Sequence, residues 1–227
     1  YTVGDIWGYV TGGILQEGDF DGVGANGKPL YHGPYFKGGQ AYPGYIWYQD
    51  LDHDGVITTG LNTVDDPGDR KVIGNNAPRY RYNITANFQY KGFDLDLMFQ
   101  GVGKRDYWLS STSSYWGNGA GSWEVYNNSW TPERTDAKFP MYGSGTGSYP
   151  QTGYLLDASY IKLKQVILGY TFPRALINKI GLEKLRLNLA AYNLFTISDM
   201  PKYYDADYLS DAYPPKRTFS VGIQVGF

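Results

Sequence analysis

From Tyr80 to Tyr90 the chain alternates without exception. Tyr80, Tyr82, Ile84, Ala86, Phe88 and Tyr90 share one parity, and Arg81, Asn83, Thr85, Asn87 and Gln89 share the other. A strand turns successive side chains to opposite faces, whereas a helix repeats every ~3.6 residues, so this run admits only a strand. Lys91-Gly92 then offers a tight turn. Phe93, Leu95, Leu97 and Phe99 resume on one face against Asp94, Asp96 and Gln100, with Met98 the one lapse. The two runs predict a hairpin.

Three more strands follow. Between Tyr160 and Phe172 the apolar phase slips, from Ile161 and Leu163 to Val166, Leu168, Tyr170 and Phe172. One extra residue shifts the phase in this way, which predicts a β-bulge near Lys164-Gln165. Pro173 stops that strand, and a connection through Gly181 leads to Leu185, Leu187 and Leu189, alternating with Arg186, Asn188 and Ala190. The last strand sets Phe219, Val221, Ile223, Val225 and Phe227 against Ser220, Gly222, Gln224 and Gly226.

A soluble β-sandwich also hides one face of each strand. Three features favour a transmembrane β-barrel instead. The non-apolar face is mostly small or uncharged, as a wet lumen tolerates. Aromatics gather at strand ends (Tyr80, Tyr82, Tyr90, Phe93, Tyr170, Phe172, Phe227), where a membrane barrel carries its girdles. The connections are also lopsided: Lys91-Gly92 and Pro173 to Gly181 are short, whereas about 102–157 and about 196–216 are long. Short turns on the periplasmic side and long loops outside are the barrel pattern. The fold class expected is therefore all-β, an antiparallel transmembrane barrel with long extracellular loops. Residues 1–79 are expected to be an extracellular loop region and 80–227 to carry the strands.

Five strands cannot close, because an open edge in lipid leaves backbone groups unpaired at several kcal/mol each. The chain also starts at Tyr1 without a Met or a leader, so it is expected to be a C-terminal piece of a longer protein. Composition agrees with an all-β chain rich in turns: 17% of residues are aromatic, with 23 Tyr, beside 30 Gly. A net charge of -2 argues against a nucleic-acid partner. The absence of Cys excludes disulfides and thiolate metal sites, and two His argue against zinc or haem.

Short strings spread along the chain resemble the SusC/RagA family of TonB-dependent transporters from the Bacteroidetes outer membrane. They are Gly8-Tyr9 with Gly12-Gly13-Ile14, Asp50 to Ile57, Asp69-Arg70 with Val72-Ile73-Gly74, and Tyr90 to Asp94. Asp157 to Leu163, Leu168-Gly169-Tyr170 with Pro173, and Asn193-Leu194-Phe195 complete the set. The resemblance implies part of a barrel of about 22 strands. It also implies import of large nutrients, oligosaccharides or peptides, with a SusD-like surface lipoprotein and energy from TonB–ExbB–ExbD. No enzymatic activity is implied. A non-transporting surface protein, glycan-binding or adhesin-like, is the alternative class, and an outer-membrane enzyme a third.

Asp50, Asp52 and Asp54 followed by Gly55 match the start of an EF-hand calcium loop, where oxygens at alternate positions wrap one hard cation. The backbone carbonyl of Val56 is a further candidate ligand. Position twelve is Leu61, so the closing carboxylate must come from elsewhere. The family pattern puts it just before an Arg, which here is Asp69, with Asp65 or Asp66 as substitutes. A bound Ca²⁺ would stiffen an extracellular loop; a solvated set of Asx-turns is the other reading. Asp94 and Asp96 point into the lumen and are read as wall groups, not a catalytic pair. In the long loop, Trp108, Tyr115, Trp116, Trp123 and Trp130 are candidates for substrate or partner contact, since exposed rings stack on sugars and anchor interfaces. Alternatively, such rings pack the loop on itself. Gly143 to Gly147 lacks the Lys and helix of a phosphate loop.

Overall fold

The structure, a computed structural model, describes residues 2–108, 123–144, 148–201, 204–209 and 215–227. In chain order the strands are β1 (Asp5–Tyr9), β2 (Thr11–Ile14), β3 (Tyr35–Phe36), β4 (Ile46–Tyr48), β5 (Val56–Ile57) and β6 (Arg70–Asn75). Then come β7 (Tyr80–Tyr90), β8 (Phe93–Gly103), β9 (Asp106–Tyr107), β10 (Leu156–Asp157), β11 (Tyr160–Thr171), β12 (Lys184–Ser198) and β13 (Thr218–Gly226). Two short helices, α1 (Trp123–Asn127) and α2 (Arg174–Ile177), complete the main elements. Contacts divide the chain into two compact units, residues 1–77 with 106–156, and residues 78–105 with 157–227.

The first unit is a core built from loops and short strand pairs. β1 pairs antiparallel with β6, β2 antiparallel with β4, and β3 parallel with β5. Strands of two to six residues show too few alternations to be read from sequence. Their core is aromatic: Tyr9, Ile46, Tyr48 and Ile57 are buried, with Phe36 and Tyr154 packed against them. Tyr9, Phe36 and Tyr48 meet edge to face at 5.1–5.4 Å between ring centres. Large rings fill a space that short strands cannot line with aliphatic rows, and the edge-to-face geometry adds to the burial. Burial pushes the Tyr48 hydroxyl well above its ordinary range. Two glycines let rings lie on backbone. A Cβ on Gly12 would stand 1.6 Å from the Trp47 ring, and one on Gly44 would stand 2.5 Å from Trp130.

The second unit is one antiparallel sheet in the order β13-β12-β11-β8-β7. The predicted hairpin closes with Tyr90 opposite Phe93, and Lys91 and Gly92 sit at φ 46° and 89°. Two successive left-handed residues define the two-residue turn whose twist suits a hairpin. The phase slip in β11 is a bulge: Leu163 faces Phe99 and Gln165 faces Met98, leaving Lys164 as the extra residue. On the other side Leu163 faces Phe195 and Gln165 faces Tyr192, so β12 carries its own extra residue at Asn193-Leu194. Asn193 adopts φ 54° there, which Asn tolerates better than most residues. The helix α2 and a turn closing on Gly181, at φ 74°, connect β11 to β12 as the sequence implies.

One face of this sheet is apolar and open. Ile84, Phe88, Leu189, Phe219, Val221 and Ile223 are each more than half exposed. A soluble sheet would hide such a face under a second layer, and uncovered apolar area of this extent marks contact with something apolar. β7 and β8 have 11 residues each, the length of a tilted strand crossing a bilayer. No helix among the described residues is long and apolar enough to cross a membrane, which says nothing about crossing by strands. The opposite face carries Arg81, Asn83, Asn87, Asp94, Asp96, Arg186, Asn188 and Gln224.

Candidate functional site

The acidic loop of the first unit is organised by its own carboxylates. Asp50 accepts hydrogen bonds from the N–H groups of His53 (2.7 Å) and Gly55 (2.8 Å). Asp52 accepts from Asp54 N–H at 3.2 Å, and Asp54 from Val56 N–H at 2.8 Å. Gly55 sits at φ 87°, the left-handed bend that closes the loop onto Asp50. Asp69 is fully buried beneath it. Its two oxygens accept from Leu51 N–H and Thr58 N–H, each at 2.7 Å, and so tie both ends of the loop to β6.

Asp50, Asp52 and Asp69 each offer an oxygen within 4.8 Å of the others. Oxygens around one Ca²⁺ stand about 2.3–2.6 Å from it, so two on opposite sides are separated by about 4.6–5.2 Å. The dimensions and the hard oxygen donors fit a calcium ion. Desolvation pushes the Asp50 carboxyl up, but the N–H groups of Gly55 and His53 outweigh it and hold it below the usual range. Asp52 moves the other way. The Asp54 N–H pulls it down, yet desolvation and the carboxylates of Asp69 and Asp54 leave it raised. That crowding is the electrostatic condition a cation relieves. Asp54 stands outside the trio, turned onto its own Val56 N–H. Asp66 is occupied in its own turn, accepting from Leu61 and Gly68.

The aromatic candidates separate. Trp130 is 3% exposed, and its indole N–H donates to Gln16 Oε1 at 2.9 Å. Trp108 is 7% exposed. Both rings are buried and present no contact surface. Trp123 is 77% exposed on α1 and meets Tyr126 edge to face at 5.9 Å, and Tyr126 in turn meets Tyr142 at 5.8 Å. Tyr115 and Trp116 lie outside the described residues, as do Gly145 to Gly147.

In the second unit the polar face carries two sets of charges that single-strand patterns do not reveal. Arg186 grips Asp94 with two parallel hydrogen bonds of 2.6 Å, while Asn87 donates to Asp96. Asp94 is thus a paired wall group with no free carboxylate to act as a base. Farther along, Lys162 is almost wholly buried and reaches both oxygens of Asp205 at 2.8 Å. Lys164 reaches Asp207 at 2.7 Å, and the Tyr160 hydroxyl donates to Asp207 at 2.5 Å. The β11 bulge makes this possible. It leaves Lys162 and Lys164 on the polar face while Val166, Leu168 and Tyr170 return to the apolar one.

No protein-family model matches the chain. TonB-dependent receptor P3 of Formosa agariphila is 30% identical to it over 243 aligned positions, covering all of this chain and 22% of that receptor. TonB-dependent receptor SusC of Bacteroides thetaiotaomicron is 26% identical over 201 positions, covering 81% of this chain and 19% of SusC. The chain spans about a fifth of the length of the curated relatives it matches. Among solved structures, the RagAB peptide transporter shares the fold, with a TM-score of 0.63 over 99% of this chain and 23% of that one, at 19% identity. The open five-stranded sheet is thus a section of the β-barrel architecture of TonB-dependent proteins. These relatives are receptors and transporters, not enzymes. By residues, fold and relatives together, this chain is similar along its length to part of the TonB-dependent receptors, SusC among them.

Proposed function

We propose that this chain forms a section of wall and outer loops in a TonB-dependent importer in the outer membrane of a Bacteroidetes bacterium. The cargo is a large nutrient, an oligosaccharide or a peptide. The importer works with a SusD-like surface lipoprotein over its mouth and draws energy from TonB–ExbB–ExbD through parts of the protein beyond this chain. The observation that carries the reading is the sheet itself: bilayer-length strands, one face apolar and open, the other polar and charged. Outer-membrane lipid covers the first face and cargo passes along the second.

Deleting the receptor gene should leave the protein missing from the outer-membrane fraction and abolish growth on one class of polymer breakdown products. An affinity tag on the receptor should bring down a lipoprotein from detergent extracts. A receptor found in the soluble fraction without detergent overturns the reading.

In the same reading Asp50, Asp52 and Asp69 hold a Ca²⁺ ion that joins the 50–57 loop to β6. The support is their mutual approach and the raised Asp52 carboxyl. Chain carbonyls, Val56 among the candidates, and water complete the six to eight oxygens the ion takes. Titrating the purified receptor with terbium while exciting its tyrosines should give saturable emission that calcium competes away, weakened at least tenfold by Asp52→Asn. Emission that does not saturate refutes the site.

A further inference from the structure

The described segment 204–209, between β12 and β13, lies on the polar face as a short peptide held by the wall. The contacts are those of a bound ligand. The Asp205 carboxylate sits on Lys162 with two bonds of 2.8 Å, and the Asp207 carboxylate sits on Lys164 at 2.7 Å and on the Tyr160 hydroxyl at 2.5 Å. Lys162 also stands 3.7 Å from Asp207. Between the two acids the Arg105 guanidinium donates to the backbone carbonyl of Ala206, while the same group is fixed from behind by the carbonyl of Ala158 at 2.9 Å. Ala206 is 1% exposed and seated on the wall. The turn holds its own shape: Asp207 N–H donates to Asp205 Oδ1 at 2.8 Å, and Tyr208 and Leu209 donate to the Asp205 carbonyl.

We infer that Tyr160, Lys162, Lys164 and Arg105 form a peptide-binding site of the wall, selective for an Asp-x-Asp pattern, which the chain fills in cis with Asp205-Ala206-Asp207.

Two features single out a peptide over a free anion. The site takes two carboxylates spaced by one residue, and it takes the carbonyl between them. Tyr160, Lys162 and Lys164 stand at the start of β11 and Arg105 just past the end of β8. With the segment in place Lys162 is buried and its ammonium is paired with the Asp205 carboxylate. An acidic stretch of cargo satisfies the same groups. Beside the site a cavity of about 310 Å³, lined by Arg81, Asn83, Gln100, Arg105, Tyr160 and Asp207, leaves room for residues flanking such a stretch. Desolvation works against ionised Asp207, but Lys164 and Tyr160 more than offset it and hold the carboxyl below the usual range, as in a formed ion pair.

The test uses the receptor that carries this chain, purified in detergent, and the peptide acetyl-Asp-Ala-Asp-amide. Hydrogen exchange of 204–209 should speed up as the peptide is added, and not on adding acetyl-Asn-Ala-Asn-amide or succinate. The double variant Asp205→Asn/Asp207→Asn should bind the acidic peptide at least tenfold more tightly than the unaltered receptor. Adding Lys162→Met to it should remove that gain. Exchange at 204–209 that ignores saturating peptide, or a double variant with no gain in affinity, identifies the segment as fixed lining and overturns the proposal. Should the double variant fail to fold, seen as loss of the heat-modifiable mobility of a barrel, the exchange experiment on the unaltered receptor decides. The proposal rests on the import reading for its cargo, but binding in detergent needs no energy coupling, so a failure to bind is distinct from a failure of that reading.

Discussion

Removing the Asp69 carboxylate should loosen the acidic loop more than any other single change in the first unit. The side chain is fully buried and accepts two N–H groups at 2.7 Å, from residues 18 and 11 positions away. A hydrogen bond to a charged group contributes about 1.5–3 kcal/mol, and a buried donor left without its acceptor loses that and its hydration. Two such bonds give about 3–6 kcal/mol, and water entering the space of a deleted carboxyl recovers part of it. Asp69→Ala is therefore expected to cost about 3 kcal/mol. Asp69→Asn keeps one acceptor but turns an amide N–H₂ onto the other donor, and should cost about half as much. The assay is hydrogen exchange of the Leu51 and Thr58 amides in the receptor, run in a calcium chelator so that no metal contributes. At about 1.4 kcal/mol per decade, the alanine variant should exchange there roughly 100-fold faster. Acceleration below about threefold, under ~0.7 kcal/mol, would refute the idea that these two bonds pin the loop.

Three further outcomes follow from single positions. Asn193→Ala should lose about 1–2 kcal/mol, because Ala tolerates φ 54° less well than Asn and the bond of 3.2 Å to the Lys216 carbonyl disappears, whereas Asn193→Gly should lose less; urea unfolding of the barrel in detergent reads both. Gly101→Leu should shift the Tyr82 ring, which now lies over Gly101 where a Cβ would be 2.2 Å from it, and break the Tyr82 hydroxyl's bond of 3.2 Å to the Tyr160 carbonyl; tyrosine fluorescence and unfolding report the change. The pairing of segment 204–209 should weaken in acid. The Asp207 carboxyl is lowered in the folded protein, so its stabilising effect is present above the ordinary aspartate range and is lost as pH falls through the lowered value. Exchange at 204–209 should therefore be flat from pH 7 to about 5 after correction for intrinsic rates, and rise below about 4.

The sheet was legible because its strands are long. Eleven residues of alternation in β7, and the phase slip at Lys164 in β11, each leave a mark that period counting detects. The second bulge, at Asn193-Leu194, leaves none, since Leu187 and Leu189 before it and Phe195 and Ile197 after it keep one parity, and only the register against β11 and the backbone angle reveal it. In residues 1–79 the strands are too short to show a period, and what reads as loop is a folded unit around Tyr9, Ile46, Tyr48 and Ile57. Trp130 illustrates why ring roles are hard to assign from sequence. Its partner Gln16 is 114 residues away, and nothing near Trp130 in the chain distinguishes a core ring from a surface one. The pairing of Lys162 and Lys164 with Asp205 and Asp207 spans 43 residues and depends on how a loop folds back, which side-chain periodicity does not encode. The acidic loop was visible as a motif, but the division of labour inside it was not. Asp54 serves its own turn, and Asp69 is first a backbone acceptor.

The central claim is that one face of the five-stranded sheet meets lipid and the other meets water. The chain has no cysteine, so single Cys variants along β13 report on that directly. With the receptor in native outer membranes, Val221→Cys and Ile223→Cys should resist a water-soluble maleimide and, once carrying a fluorophore, be quenched by brominated lipid. Ser220→Cys and Gln224→Cys should react with the maleimide and escape the quenching. Uniform labelling of all four positions, or the reverse alternation, would contradict the account.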